Sequence, residues 1–178
     1  MRCLGFLVVW LVSLIAIFLS FDSHDPNYGD SLIRWTARHS LFFWFLAAFL
    51  LIDSYSTMAR FLWVIAAISF LIHVGVAFEY AHHWSHEAAF RHVQESSGYG
   101  EGIFVSYFFT VLWTVDALWW LMSRETYETR SRTLGWLIHG FMVFIIFNGT
   151  VIFESGFIRW AGLIGLGILG IRWQIKRR

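Results

Sequence analysis

Six runs of mostly apolar residues constrain the fold of this chain more than any other feature of its sequence. About 20 such residues form a helix that crosses the hydrocarbon layer, where backbone groups must pair within the segment. The predicted spans cover residues 4–21, 32–54, 61–80, 103–123, 133–153 and 157–173. Charged residues make up 14% of the chain, whereas soluble domains have about 25%. We therefore predict a single-domain, all-α integral membrane protein over residues 1–178, a bundle of six helices.

The first run needs separate treatment, because Arg2 followed by an apolar stretch resembles a secretory signal peptide. The run ends in Leu19-Ser20-Phe21-Asp22, without the small residues that mark a cleavage site. We expect a retained helix, and a cleaved signal is the alternative.

Lysine and arginine lie mainly on one predicted side of the membrane. With six spans, that side holds both termini and carries nine of these residues: Arg2, Arg60, Arg124, Arg130, Arg132, Arg172, Lys176, Arg177 and Arg178. The other side carries four: Arg34, Arg38, Arg91 and Arg159. The positive-inside rule then predicts a cytoplasmic N-terminus and C-terminus. The basic C-terminal end is interpreted as a topology anchor, with lipid-headgroup binding as the alternative. A net charge of +1 gives no reason to expect a nucleic-acid partner.

Histidines gather on the opposite, extracytoplasmic side, most densely just after the third run. If the third helix continues past Tyr80, carboxylate and imidazole side chains form a stripe over two turns, since residues three or four apart share a face. Such ligands suit zinc, copper or iron. The predicted metal ligands are His82, His83, His86 and Glu79, with His92 as a further one. The alternative is a polar helix end at headgroup level.

Two pairs of buried polar residues match in depth across predicted hairpins. His39 and His73 lie 18 and 16 residues from the turn centre at residue 57, a depth difference of about 3 Å. They could hold a b-type haem or a smaller ion, or each could bond a carbonyl or hydroxyl. Asp116 and His139 lie 12 and 11 residues from residue 128. This second pair is predicted to lock two helices together, with proton relay as the alternative.

The sixth run is rich in glycine at positions 162, 165, 167 and 170. Small residues let helices approach closely in lipid. This face is expected to pack against another helix or against another subunit, either a second copy of the chain or a partner in a membrane complex.

Three stretches resemble an uncharacterised family of small bacterial multi-pass membrane proteins. They are His82-His83-Trp84-Ser85-His86, Trp113-Thr-Val-Asp116-Ala-Leu-Trp119-Trp120 and Phe147-Asn148-Gly-Thr-Val-Ile-Phe153. The resemblance implies a common fold and a bacterial inner-membrane setting, and it implies no particular activity.

A second resemblance lies in Arg34-Trp-Thr-Ala-Arg38, followed by an apolar run and Ser69-Phe-Leu-Ile-His73. This pattern is similar to the first haem-ligating hairpin of ferric-reductase-like transmembrane domains. It implies haem ligation by His73 only, because Phe70 stands where that family often has a second histidine.

The sequence thus supports three functional hypotheses. The first is a transition-metal-binding membrane protein with a role in metal handling or redox chemistry. The second is a haem b electron carrier that uses His73 and His39, and the third is a non-catalytic subunit that packs helices in a membrane complex. No catalytic motif assigns a reaction.

Overall fold

The computed structural model describes residues 2–178, so Met1 lies outside it, and the described chain is helical without any strand. The α-helices are α1 (Arg2–Leu19), α2 (Tyr28–Leu51), α3 (Thr57–Ala77), α4 (His86–Ser97), α5 (Gly102–Met122), α6 (Arg124–Glu128), α7 (Arg132–Phe147) and α8 (Gly156–Arg177). Two π-helical turns, Phe78–His82 and Asn148–Ile152, extend α3 and α7. The predicted all-α fold is confirmed.

Three helical segments are long and apolar enough to cross a membrane: Thr57–His82, Gly102–Met122 and Arg132–Ile152. The first apolar run forms a shorter helix, Cys3–Leu19. Large apolar side chains also face outwards, among them Met122 at 82% exposure and Phe157 at 81%. Soluble monomers rarely expose apolar surface on this scale, so the chain is a membrane protein.

Two short helices, α4 and α6, were not predicted. The Ser85 hydroxyl caps α4 by accepting a hydrogen bond from the Ala88 N–H at 3.2 Å. Gly98 ends it with φ 83°, a left-handed conformation that glycine adopts without strain. Long apolar runs in the sequence do not predict either helix, because α4 is mostly polar and α6 has only five residues.

The core centres on α3, which packs along α2 to form the most extensive helix pair. Ala59, Leu62, Trp63 and Ala66 of α3 are buried. The Ser40 hydroxyl of α2 donates to the Ala66 carbonyl at 3.2 Å. Small residues on α3 bring the two backbones close, so the α2–α3 hairpin forms a base on which α1, α5 and α8 pack.

A buried hydrogen bond joins α1 to this base. The Trp10 indole N–H donates to the Ser69 hydroxyl at 2.7 Å, and the Ser69 hydroxyl donates to the Ile65 carbonyl at 2.8 Å. Both donors are therefore satisfied in an apolar setting, where an unpaired one would be costly.

Glycines of α8 allow close packing at two of the four expected positions. A Cβ at position 162 would lie 2.5 Å from the Thr150 hydroxyl, and one at 165 would lie 2.8 Å from the Phe45 ring. Positions 167 and 170 have no such neighbour. The expected packing against other helices is thus confirmed for Gly162 and Gly165.

We expect Gly162→Leu to destabilise the fold by about 1–3 kcal/mol, because overpacking forces α8 away from the second π-helical turn. Thermal unfolding in detergent measures this change. Gly167→Leu is the matched control on the same helix and should leave the melting temperature nearly unchanged. Equal melting temperatures for the two variants would contradict the close packing.

Candidate functional site

The end of the third helix does not continue as a regular α-helix. After the π-helical turn, His83 and Trp84 adopt left-handed conformations with φ 47° and 55°. The Trp84 N–H donates to the Phe78 carbonyl, and the Ser85 N–H donates to the His82 carbonyl. The predicted stripe needed an unbroken helix through His86, and that geometry was wrong because the chain turns at His83.

Because of the turn, three of the predicted ligands have different neighbours and do not face one site. Glu79 accepts a hydrogen bond from the Trp84 indole at 2.7 Å. His86 Nδ1 lies 2.9 Å from the Tyr107 hydroxyl of α5. His83 is exposed.

The same turn brings His82 and His92 together. Their ring centroids are 5.3 Å apart, with the ring planes at 73°. His82 is 8% exposed, and its Nδ1 is buried without a hydrogen-bond partner among the described residues. His92 is exposed on α4, so this pair exists only because α4 folds back towards the end of α3.

The two imidazoles are not joined by a third ligand. Across residues 2–178, no group of three or more His, Cys, Asp or Glu side chains is placed to hold a metal ion. The arrangement is a pair of adjacent imidazoles with a buried, unsatisfied nitrogen, flanked in sequence by His83.

The proposed haem ligands bond to different partners. His39 Nε2 lies 2.9 Å from the Ser13 hydroxyl of α1. His73 Nδ1 lies 3.1 Å from the Ile33 carbonyl, to which it donates, and 3.3 Å from the Thr36 hydroxyl. These are the carbonyl and hydroxyl contacts given as the alternative to a shared ligand, and the haem hypothesis stays a prediction.

At the other end of the bundle, Asp116 is the centre of a buried polar network. Its carboxylate accepts hydrogen bonds from the Trp63 indole and the Tyr127 hydroxyl, each at 2.9 Å. It also forms an ion pair with Arg130 at 2.6 Å, in which both side chains are almost fully buried. Burial and the nearby carboxylate raise the pKa of Tyr127 far above its ordinary value, so its hydroxyl remains a donor at physiological pH.

Arg130 also connects this network to His139. Its second terminal nitrogen lies 3.0 Å from His139 Nε2. A guanidinium only donates, so Nε2 accepts and the imidazole proton lies on Nδ1. The His139 ring packs edge-on against Trp63, with centroids 5.2 Å apart. The sequence predicted a direct pair of Asp116 and His139, whereas in the structure Arg130 lies between them and bonds to both.

A cavity of about 780 Å³ adjoins this network. Its walls include Trp63, Arg130 and His139 on one side and Trp173 of α8 on the other. Another cavity, of about 580 Å³, lies between α1 and α2 beside His39.

No family model, curated protein or solved structure matches this chain.

Proposed function

We propose that this protein binds a transition metal ion at the extracytoplasmic end of its third span, through His82 and His92. The proposal includes six spans with both termini in the cytoplasm of a bacterial inner membrane. That topology is supported by the nine-to-four distribution of Lys and Arg between the two sides.

The spacing of the two rings is the observation that carries the proposal. Metal–nitrogen bonds of about 2.0–2.1 Å at a tetrahedral angle place two ligating rings about 5 Å apart, centroid to centroid. The observed separation is 5.3 Å. In addition, the buried Nδ1 of His82 has no other partner in the described chain, and a bound metal ion would satisfy it.

The backbone beside the pair gives further support. Consecutive non-glycine residues in the left-handed region, here His83 and Trp84, store about 1–3 kcal/mol of strain each. Such strain clusters at binding sites, where it positions side chains. Here it reverses the chain so that α4 presents His92 to His82.

The donor set points to zinc, copper or iron. Neutral imidazole suits all three ions, and calcium and magnesium prefer oxygen ligands. Two imidazoles leave further coordination positions for water, for the adjacent His83, or for a ligand that the protein delivers or receives. Metal handling therefore fits this site better than a closed structural centre, which has four protein ligands.

Elemental analysis of the purified full-length chain tests the proposal. We expect about one zinc, copper or iron ion per chain, lost in both His82→Ala and His92→Ala. His92 is exposed, so its variant should fold normally and separates loss of metal from loss of structure. His86→Ala is the matched control, since His86 is a neighbouring imidazole that lies against Tyr107 instead, and it should retain the metal. A metal-free wild-type protein, or equal loss in all three variants, would refute the site.

A further inference from the structure

The cavity beside the Asp116 network has a mixed lining that suggests an amphiphilic ligand. Aromatic and aliphatic residues form most of its surface, among them Trp44, Leu51, Val143, Leu166 and Trp173. Its polar lining comes mainly from the segment that connects α6 to α7, together with His139. Its volume of about 780 Å³ falls within the range of about 300–1,000 Å³ for small-molecule sites.

The polar part of the cavity has an excess of positive charge. Arg130 is neutralised by Asp116, and Glu128 is paired with Arg124 at 2.8 Å. Arg132 lines the cavity, and no acidic partner for it occurs in residues 2–178.

A second cation lies beside the same cavity. The Arg177 guanidinium packs over two tryptophan rings of the lining, 3.7 Å from the Trp173 centroid and 5.0 Å from that of Trp136. The charges of Asp116 and Arg130 cancel, and His139 accepts a hydrogen bond from Arg130 as a neutral ring. The network therefore adds no net negative charge that would offset Arg132 and Arg177.

We infer that this cavity binds one anionic phospholipid. An acyl chain fills the apolar part between α2, α7 and α8, and the phosphate lies between Arg132 and Arg177. The charge excess selects an anionic headgroup, because basic pockets between membrane helices recognise such lipids. The inference is independent of the proposed metal site, which lies at the other end of α3.

Photolabelling in vesicles tests this inference. The full chain is reconstituted in phosphatidylcholine with a trace of phosphatidylglycerol that carries a diazirine on one acyl chain. We expect labelled peptides from α7 and α8. Gly170 lines the cavity, and a Cβ there meets nothing within 4 Å. Gly170→Phe should therefore fill the cavity and lower the labelling at least threefold.

Three controls separate the possible outcomes. Gly167→Phe, on the same helix and equally open but outside the cavity lining, should label like the wild type. Arg132→Gln and Arg177→Gln should each lower the preference over the matching phosphatidylcholine probe by about fivefold. Equal labelling of the two phenylalanine variants, or equal labelling by the two lipid probes, would overturn the inference. Displacement of the label by inorganic phosphate would overturn it too, because the site would then recognise a free anion.

Discussion

Replacing Arg130 by alanine is expected to lower the free energy of unfolding by about 3–5 kcal/mol. The substitution leaves the Asp116 carboxylate buried without its countercharge, although the Trp63 and Tyr127 donors remain. It also removes the guanidinium that packs 3.9 Å from the Tyr127 ring centroid. Unfolding by SDS titration in mixed micelles, followed by circular dichroism, measures the change.

Arg124→Ala is the matched control for this prediction. Arg124 lies on α6 and pairs with Glu128 at the surface, so its loss should change stability by less than about 1 kcal/mol. The double variant Asp116→Leu/Arg130→Met removes both buried charges and should recover most of the lost stability. Similar losses for Arg124→Ala and Arg130→Ala would show that the buried pair contributes little.

Trp63→Ala is expected to destabilise the fold by about 3–5 kcal/mol. Trp63 is fully buried at the centre of the core, and it donates to Asp116. The alanine variant opens a large cavity between α3 and α5 and leaves the carboxylate with one donor fewer. Thermal unfolding in detergent measures this loss.

Two further tryptophan variants separate the loss of the hydrogen bond and of the buried ring from a general loss of aromatic surface. Trp63→Phe keeps most of the ring packing and removes the indole N–H, so it should lower the free energy of unfolding by about 1–3 kcal/mol. Trp160→Ala removes a ring that is 64% exposed on α8 and should have little effect. A Trp160 variant as unstable as Trp63→Ala would mean that general loss of aromatic surface, rather than the core position, determines stability.

The long helices could be predicted from sequence, because a run of about 20 apolar residues has few alternatives to a helix in lipid. Each of the six predicted runs coincides with a helix to within a few residues. The turn at His83 could not be predicted in this way. Nothing in the local pattern distinguishes a π-helical turn followed by two left-handed residues from another turn of α-helix, so the ligand stripe was placed on a continuous helix.

Contacts between two particular side chains could be predicted only where both lie on one hairpin, because the shared turn then sets their depth in the membrane. Counting from the turn predicted a direct pair of Asp116 and His139, whereas in the structure Arg130 bridges the two side chains. The count missed Arg130, because it treats the turn as a point and so excludes a side chain that reaches back into the bundle from the segment between α6 and α7. The approach of His92 to His82 depends on α4, a helix that apolar periodicity does not reveal.

The Asp116–Arg130 pair also has a consequence for how the chain enters the membrane. Arg130 follows Asp116 by 14 residues, so the ribosome releases α5 with its carboxylate still lacking a countercharge. The ion pair with Asp116 can therefore form only after the segment that carries Arg130 has been synthesised, so the packing around this carboxylate is completed later than the synthesis of α5 itself.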